Sequence, residues 1–201
     1  MKTPTIFLLT LVPFLTTFMV PEPVDVPEEK QIVFVQTMGK VDQDDLNLVV
    51  STISDFYDFQ VIVKGQFPII DSLKVKNTNR FQADRVLKAS NSMNVDLHGK
   101  VIILTEYDIC TDRTLNGVVR KNWGIFGLAG INKQSTVIST FRMKTNHTNR
   151  LTKVTVHELG HTLGLQHCHN DEKCVMSDAK GKGSNVDGTE IKLCSECKKH
   201  I

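Results

Sequence analysis

Net charge is nearly absent from this chain: 24 Lys and Arg stand against 22 Asp and Glu, a formal +2 over 201 residues. No block of Lys and Arg is interleaved with aromatics, so the electrostatic footprint of a nucleic-acid-binding face is missing, and no nucleic-acid partner is expected. Long apolar runs are equally scarce. Beyond the first 20 residues no stretch is long enough to cross a membrane, and there is no internal repeat and no low-complexity segment. What remains, 40% apolar and 23% charged residues, suits a globular domain with one sizeable core.

The N-terminus is the exception. Lys2, a 15-residue apolar run from Ile6 to Val20 (IFLLTLVPFLTTFMV) and the proline- and acid-rich PEPVDVPEEK have the outline of a secretory signal or an uncleaved anchor followed by a linker. Pro13 interrupts the run and no small-x-small cleavage site precedes the prolines; a buried N-terminal strand is the competing reading. The expected organisation is residues 1–20 as signal peptide or anchor, 21–30 as linker and 31–201 as a single folded domain. A monomer, exported or associated with a membrane through this segment, is expected; a cytoplasmic protein is the alternative.

From Gln31 the pattern alternates. QIVFVQ reads as a strand, and Leu46, Val49, Val50, Ile53 and Phe56/Tyr57 recur at helical steps behind the acidic DQDD. QVIVKG gives a second strand, FPIIDSLKVKNT is irregular, Asn79–Leu87 (NRFQADRVL) restarts a helical pattern, and KVIILTEYDI is the strongest strand of the chain. Strand, helix, strand, helix, strand is an α/β beginning. NWGIFGLAGI and STVISTF follow as short apolar runs, with four glycines between Gly117 and Gly130. Such glycines fit an edge strand approached by another backbone, or an irregular hairpin with no ligand.

Residues Arg150–Leu165 (RLTKVTVHELGHTLGL) then form a predicted helix with His157 and His161 four positions apart, about 40° apart around the axis. Both imidazoles can reach one Zn²⁺, and Glu158 sits where it can take a proton from a water on that ion rather than bind it. Gly164 can end the helix in a left-handed turn, bringing His167 back as a third ligand. Three neutral nitrogen ligands leave a fourth position open, which is the mark of a catalytic zinc: the ion lowers the pKa of its water, Glu158 accepts the proton, and a polarised carbonyl is attacked. HExxH alone is a weak signal; Gly164 and His167 at their offsets make it roughly several hundredfold rarer.

Four cysteines follow: Cys168, Cys174, Cys194 and Cys197, the last two in CSEC. A CxxC pair with a second pair nearby suits one closed, tetrahedral zinc, and disulfides compete if the chain is exported. Cys110 reads as a buried hydrophobe, and the lysines of Lys192–His200 as a solvated rim.

At this point HELGHTLGLQH, with its HExxHxxGxxH form, then Cys168 directly after the third histidine, CVM at Cys174–Met176, and CSEC after seventeen further residues, resembles the archaemetzincins. NRFQADRVLK, LTEYDIC and NWGIFGLAG are similar to that family upstream. The resemblance implies a zinc metallopeptidase of peptides or small proteins with an α/β metzincin-like fold: a mixed, mostly parallel twisted sheet with an antiparallel edge strand, packed on the active-site helix, and a small zinc-bound C-terminal part. It implies two Zn²⁺ per chain, one catalytic on His157, His161 and His167 with Glu158 as general base, and one structural on Cys168, Cys174, Cys194 and Cys197. Met176 would form the tight turn beneath the catalytic zinc, and Gly124, Phe126, Gly127 and Ala129 the edge along which a peptide lies antiparallel. Five residues separate Cys168 from Cys174, one more than the family pattern, so the loop HNDEK is expected to be re-shaped, with His169 as a possible stand-in ligand. A second class of function, a catalytically silent zinc-binding module used for binding or anchoring, would be expected to have lost a ligand or the base, and none is lost here.

Overall fold

A computed structural model describes residues 30–115 and 117–201, and the signal or anchor expected at 1–20, with all but the end of the linker, lies outside them. The sequence alternation becomes a five-stranded sheet. Strands β1 (Ile32–Met38), β2 (Gln60–Val63), β4 (Lys100–Thr105) and β8 (Ser135–Ser139) are parallel, and β7 (Gly127–Ala129) runs antiparallel to β8, giving the order β2-β1-β4-β8-β7. The expected mixed, mostly parallel sheet with an antiparallel edge is therefore what forms.

Central strands buried on both faces need apolar residues on both, and Ile32–Val35 of β1 and Val101–Leu104 of β4 supply them. Val33, Val35, Ile102 and Leu104 face helices α1 (Gln43–Tyr57) and α3 (His147–Thr162), packing with Val49, Ile53, Leu151 and Leu159. Phe34, Val101 and Ile103 face the other way, onto Val86 of α2 (Ala83–Met93), Phe67 and Phe81. Helix α1 starts where Asp42 accepts a hydrogen bond from the Asp44 amide at 2.8 Å, satisfying one of the donors a helix start leaves free.

Three readings need correction. The helix expected over Asn79–Leu87 begins only at Ala83, because Phe81–Gln82 form a short strand, β3, parallel to β5 (Ile109–Leu115). The run KVIILTEYDI breaks after Thr105: the Thr105 hydroxyl donates to the Met38 carbonyl at 2.8 Å and accepts the Tyr107 amide, turning the chain before Asp108. Asp108 is then held by the side chains of Arg80 and Arg142, each at 2.7 Å, and Ile109 opens a second sheet of order β3-β5-β6, with β6 at Val118–Ile125. NWGIFGLAGI is likewise not one strand. Gly124 belongs to β6, where it pairs with Cys110, and only Gly127–Ala129 lie on the edge of the main sheet, with Phe126 at the corner.

The C-terminal part holds two short helices, α4 (Gly183–Gly188) and α5 (Ser195–Lys198), around a cluster of Val156, Leu165, Met176, Leu193 and the cysteines.

Candidate active site

Helix α3 spans the floor of the cleft and ends as its sequence predicts. Gly164 has φ +105°, its amide donates to the His161 carbonyl at 3.0 Å, and the Leu165 amide reaches back to Gly160 at 3.0 Å. That paired reversal is cheap only for a residue without Cβ, and it carries the chain back over the helix face. His167 arrives there, its ring centroid 4.9 Å from that of His161 and 5.3 Å from that of His157. One ligand-capable nitrogen from each of the three lies within 4.8 Å of the others.

The hydrogen bonds behind two of the rings fix which nitrogen faces the centre. His157 Nδ1 lies 2.8 Å from the Val175 carbonyl, and His161 Nδ1 lies 2.7 Å from the Leu165 carbonyl. A carbonyl only accepts, so both Nδ1 atoms donate and both Nε2 atoms of the neutral rings carry lone pairs. Those two Nε2 atoms are 3.0 Å apart. Two lone pairs aimed at each other are satisfied by a shared cation, and two corners of a zinc–nitrogen tetrahedron are about 3.3 Å apart. Burial, reinforced by the neighbouring rings, lowers the His157 pKa to about 3. Burial likewise lowers His161 and His167. The neutral, ligating form is therefore the one favoured.

Glu158 is 9% exposed, and burial pushes its carboxyl up to about 8. It lies against Gly127, where an added Cβ would stand 2.7 Å from Glu158 Cγ. Beneath the histidines, Met176 is fully buried with its sulfur against Gly160.

The four cysteine sulfurs also lie within 4.8 Å of one another, and His169 is exposed and outside the group. Cys168 and Cys194 sulfurs are 3.6 Å apart and those of Cys174 and Cys197 3.8 Å, all five cysteines of the chain being free thiols. A zinc–thiolate tetrahedron with bonds of about 2.3 Å has edges near 3.8 Å, so the donor set fits one ion. Burial pushes the Cys174 and Cys197 thiols up, whereas the Cys197 amide helps bring Cys194 down to about 7. The longer HNDEK loop closes on itself: the Asp171 carbonyl accepts from the Cys174 amide at 3.0 Å and from the Ser177 hydroxyl at 2.8 Å. With five residues between Cys168 and Cys174, the four sulfurs still lie together.

A cavity of about 640 Å³ runs over this centre, between β7 with α3 on one side and the segment Val175–Thr189 on the other. Gly124, Phe126, Gly127 and Ala129 all line it, although Gly124 does so from the second sheet. Sequence reading missed several of its walls. Arg113 of β5 pairs with Asp178 at 3.6 Å, Arg150 pairs with Asp187 at 2.7 Å, and Lys153 projects from α3. Burial opposes ionisation of Asp178, but the Lys180 amide, His167 and Arg113 outweigh it and hold that carboxyl below its ordinary value. Each of these pairs joins residues far apart in the chain, and no local spacing announces them.

Residues 70–201, more than half of the chain, match the model of peptidase family M54. The chain belongs to that family. M54 members are zinc-dependent metallopeptidases, and this chain is a zinc metallopeptidase acting on peptide substrates. It is 29% identical over 164 residues to an archaemetzincin from Natronomonas pharaonis, covering 75% of this chain and 88% of that one. It is 28% identical over 165 residues to an archaemetzincin of Halobacterium salinarum, with the same coverage of both chains. Among solved structures it resembles archaemetzincin from Methanopyrus kandleri, with TM-score 0.70, 23% identity, and 88% and 96% of the two chains covered. It also resembles that from Archaeoglobus fulgidus, crystallised with malonate, at TM-score 0.68, 23% identity and coverage of 85% and 100%. In this M54 chain the sheet, the helix α3 and the cysteine-bearing C-terminus take the arrangement that the archaemetzincin fold leads one to expect.

Proposed function

We propose that His157, His161 and His167 hold the catalytic zinc of this peptidase, that Glu158 is the general base, and that Cys168, Cys174, Cys194 and Cys197 hold a second, structural zinc. The observation that carries the first assignment is the pair of Nε2 lone pairs 3.0 Å apart, each fixed by a carbonyl behind its ring. When bound, the zinc supplies Lewis acidity for activating water and polarising the scissile carbonyl. The chain's residues do the rest. His157, His161 and His167 offer three neutral nitrogens and leave a face open to the cavity. Glu158, buried beside them, takes a proton from water and passes it to the leaving amine. Gly127–Ala129, as the antiparallel edge of the sheet lining the cavity, offer backbone groups to an extended peptide lying antiparallel to β7. Met176 supports the rings from below through its contact with Gly160.

The cysteine site supports the same geometry from the side. The Cys168 amide donates to the Met176 carbonyl at 2.9 Å, so the thiolate cluster and the turn under the histidines share one backbone link. Residues 1–20 are part of the proposal as an export signal or anchor, which fractionation of cells expressing the full chain would check.

The test is Glu158→Gln. The variant should bind as much zinc as wild type by elemental analysis and lose peptide hydrolysis by about a thousandfold or more. Full hydrolysis by a clean preparation would sink the assignment of the base.

A further inference from the structure

Lys153, His157 and His161 follow one another at four-residue steps on α3, so they share the face that looks into the cavity. Four cations line that cavity, and three have a carboxylate: Arg113 on Asp178, Arg142 on Asp108 and Arg150 on Asp187. Lys153 has none within 4.0 Å among the described residues, yet it is only 5% exposed. Its ammonium donates to the carbonyls of Val186 at 3.2 Å and Asp187 at 3.0 Å, at the end of α4. An ammonium carries three N–H groups, so one remains. The charges of Asp187 and Glu190 act on it only from beyond 4.0 Å, and a buried cation with no carboxylate in contact keeps a hydrogen-bond position ready for an anion.

The direction of the bound peptide decides where that anion sits. Gly127 abuts Glu158, while Asn132, five residues on, donates its amide to the His161 carbonyl at 3.0 Å, so β7 runs in the same direction as α3. A peptide antiparallel to β7 therefore runs from the C-terminal end of α3 towards its N-terminal end. Its residues after the scissile bond pass over Lys153, which lies about 6 Å along the helix axis from His157. That is within reach of an acidic side chain on the first residue past the bond, or of a terminal carboxylate one residue further. Val154, Ala179 and Val186 provide apolar walls around the same corner.

We propose that Lys153 is the base of a carboxylate-binding subsite on the C-terminal side of the scissile bond, so that this peptidase favours peptides with a carboxylate just past the cut. The proposal rests on the zinc-site reading and on the antiparallel peptide above. Its test is built to separate from theirs, because it needs no turnover. Zinc-loaded full chain is titrated with succinyl-type hydroxamates whose first side chain is a propionate or its uncharged amide, each closed by a terminal amide. A third compound keeps the uncharged side chain and ends in a free carboxylate. The propionate or the free-carboxylate compound should bind about tenfold or more tighter than the neutral one, and which of them does so tells a side-chain source from a chain end. In Lys153→Met, or Lys153→Gln if the first variant loses its fold or its zinc, all compounds should bind alike, and Lys153→Arg should keep the preference. Equal binding of all three by wild type, or a preference that survives removal of the ammonium, overturns the proposal. Failure of the wild type to cut any peptide would count against the zinc-site reading instead, leaving the hydroxamate ratio to decide the subsite.

Discussion

Gly127→Ala isolates what the position of Glu158 is worth. Gly127 has an ordinary backbone conformation, so alanine introduces no strain of its own, but its Cβ would lie 2.7 Å from Glu158 Cγ, 2.9 Å from Oε1 and 3.0 Å from Cδ. Ordinary contact begins at 3.4 Å, so the carboxylate arm must recede by about 0.7 Å or more. A displacement near 1 Å at a catalytic group costs about a hundredfold in rate, so kcat/KM on a fluorogenic peptide should fall roughly 30- to 100-fold. Zinc content should not change, because the three atoms nearest the added Cβ all belong to Glu158 and none to a histidine. Since β7 is also the proposed peptide-binding edge, the way the loss divides matters. A displaced base lowers kcat with KM held, whereas damage to strand pairing raises KM. Wild-type kcat/KM with full zinc would refute the reasoning, because Glu158 would then be doing its work from some other position or not at all.

Three further outcomes are expected. Cys194→Ser/Cys197→Ser should lower zinc from two ions per chain to one by elemental analysis and lower the thermal midpoint; one zinc in both proteins would give the cysteines another role. Gly164→Ala forces a side chain into φ +105° and costs about 1–2 kcal/mol in denaturant titrations, with loss of activity beyond that stability loss because His167 is misplaced. His147 of α3 meets Asp45 of α1 at 2.7 Å. Burial opposes its charge, but the Asp45 hydrogen bond, the Met143 carbonyl and the charges of Asp45 and Asp42 outweigh it and raise its pKa above 6.5. A raised pKa means stability that is fully present below 6.5 and is lost as pH climbs through the folded value. The pair is part-exposed, so the gap between wild type and Asp45→Asn should be a few tenths to about 1 kcal/mol at pH 5.5 and smaller at pH 8.5. An equal gap at both values would show that the pair does not titrate in that range.

The histidine motif was legible because its information is local: a four-residue step on a helix, a glycine that permits φ +105°, and a return within six residues of His161. The strand–helix alternation was legible for a similar reason, since each run carries its own apolar period, whereas the mostly parallel order came with the archaemetzincin resemblance. Where sequence reading failed, a distant partner decided the outcome. KVIILTEYDI looks like one strand until Asp108 is captured by Arg80 and Arg142, and Gly124 looks like part of β7 until Cys110 claims it for another sheet. Lys153 gave no signal at all. A lysine in a helical run reads as surface, and only α4, thirty residues on, buries it.

The peptide link between His167 and Cys168 has a consequence for metal uptake. One residue faces the open centre and the next faces the closed one, so ordering the chain at either site orders it for both. On the proposed two-zinc reading, an ion captured by the thiolates would lower the entropic cost of seating His167, and linkage requires the reverse to hold equally. Loading is then expected to be cooperative across two chemically different sites. The closed sulfur site, with four ligands against three, should fill first and raise the affinity of the open one, so that a zinc titration followed at both centres would show activity appearing only in its second half.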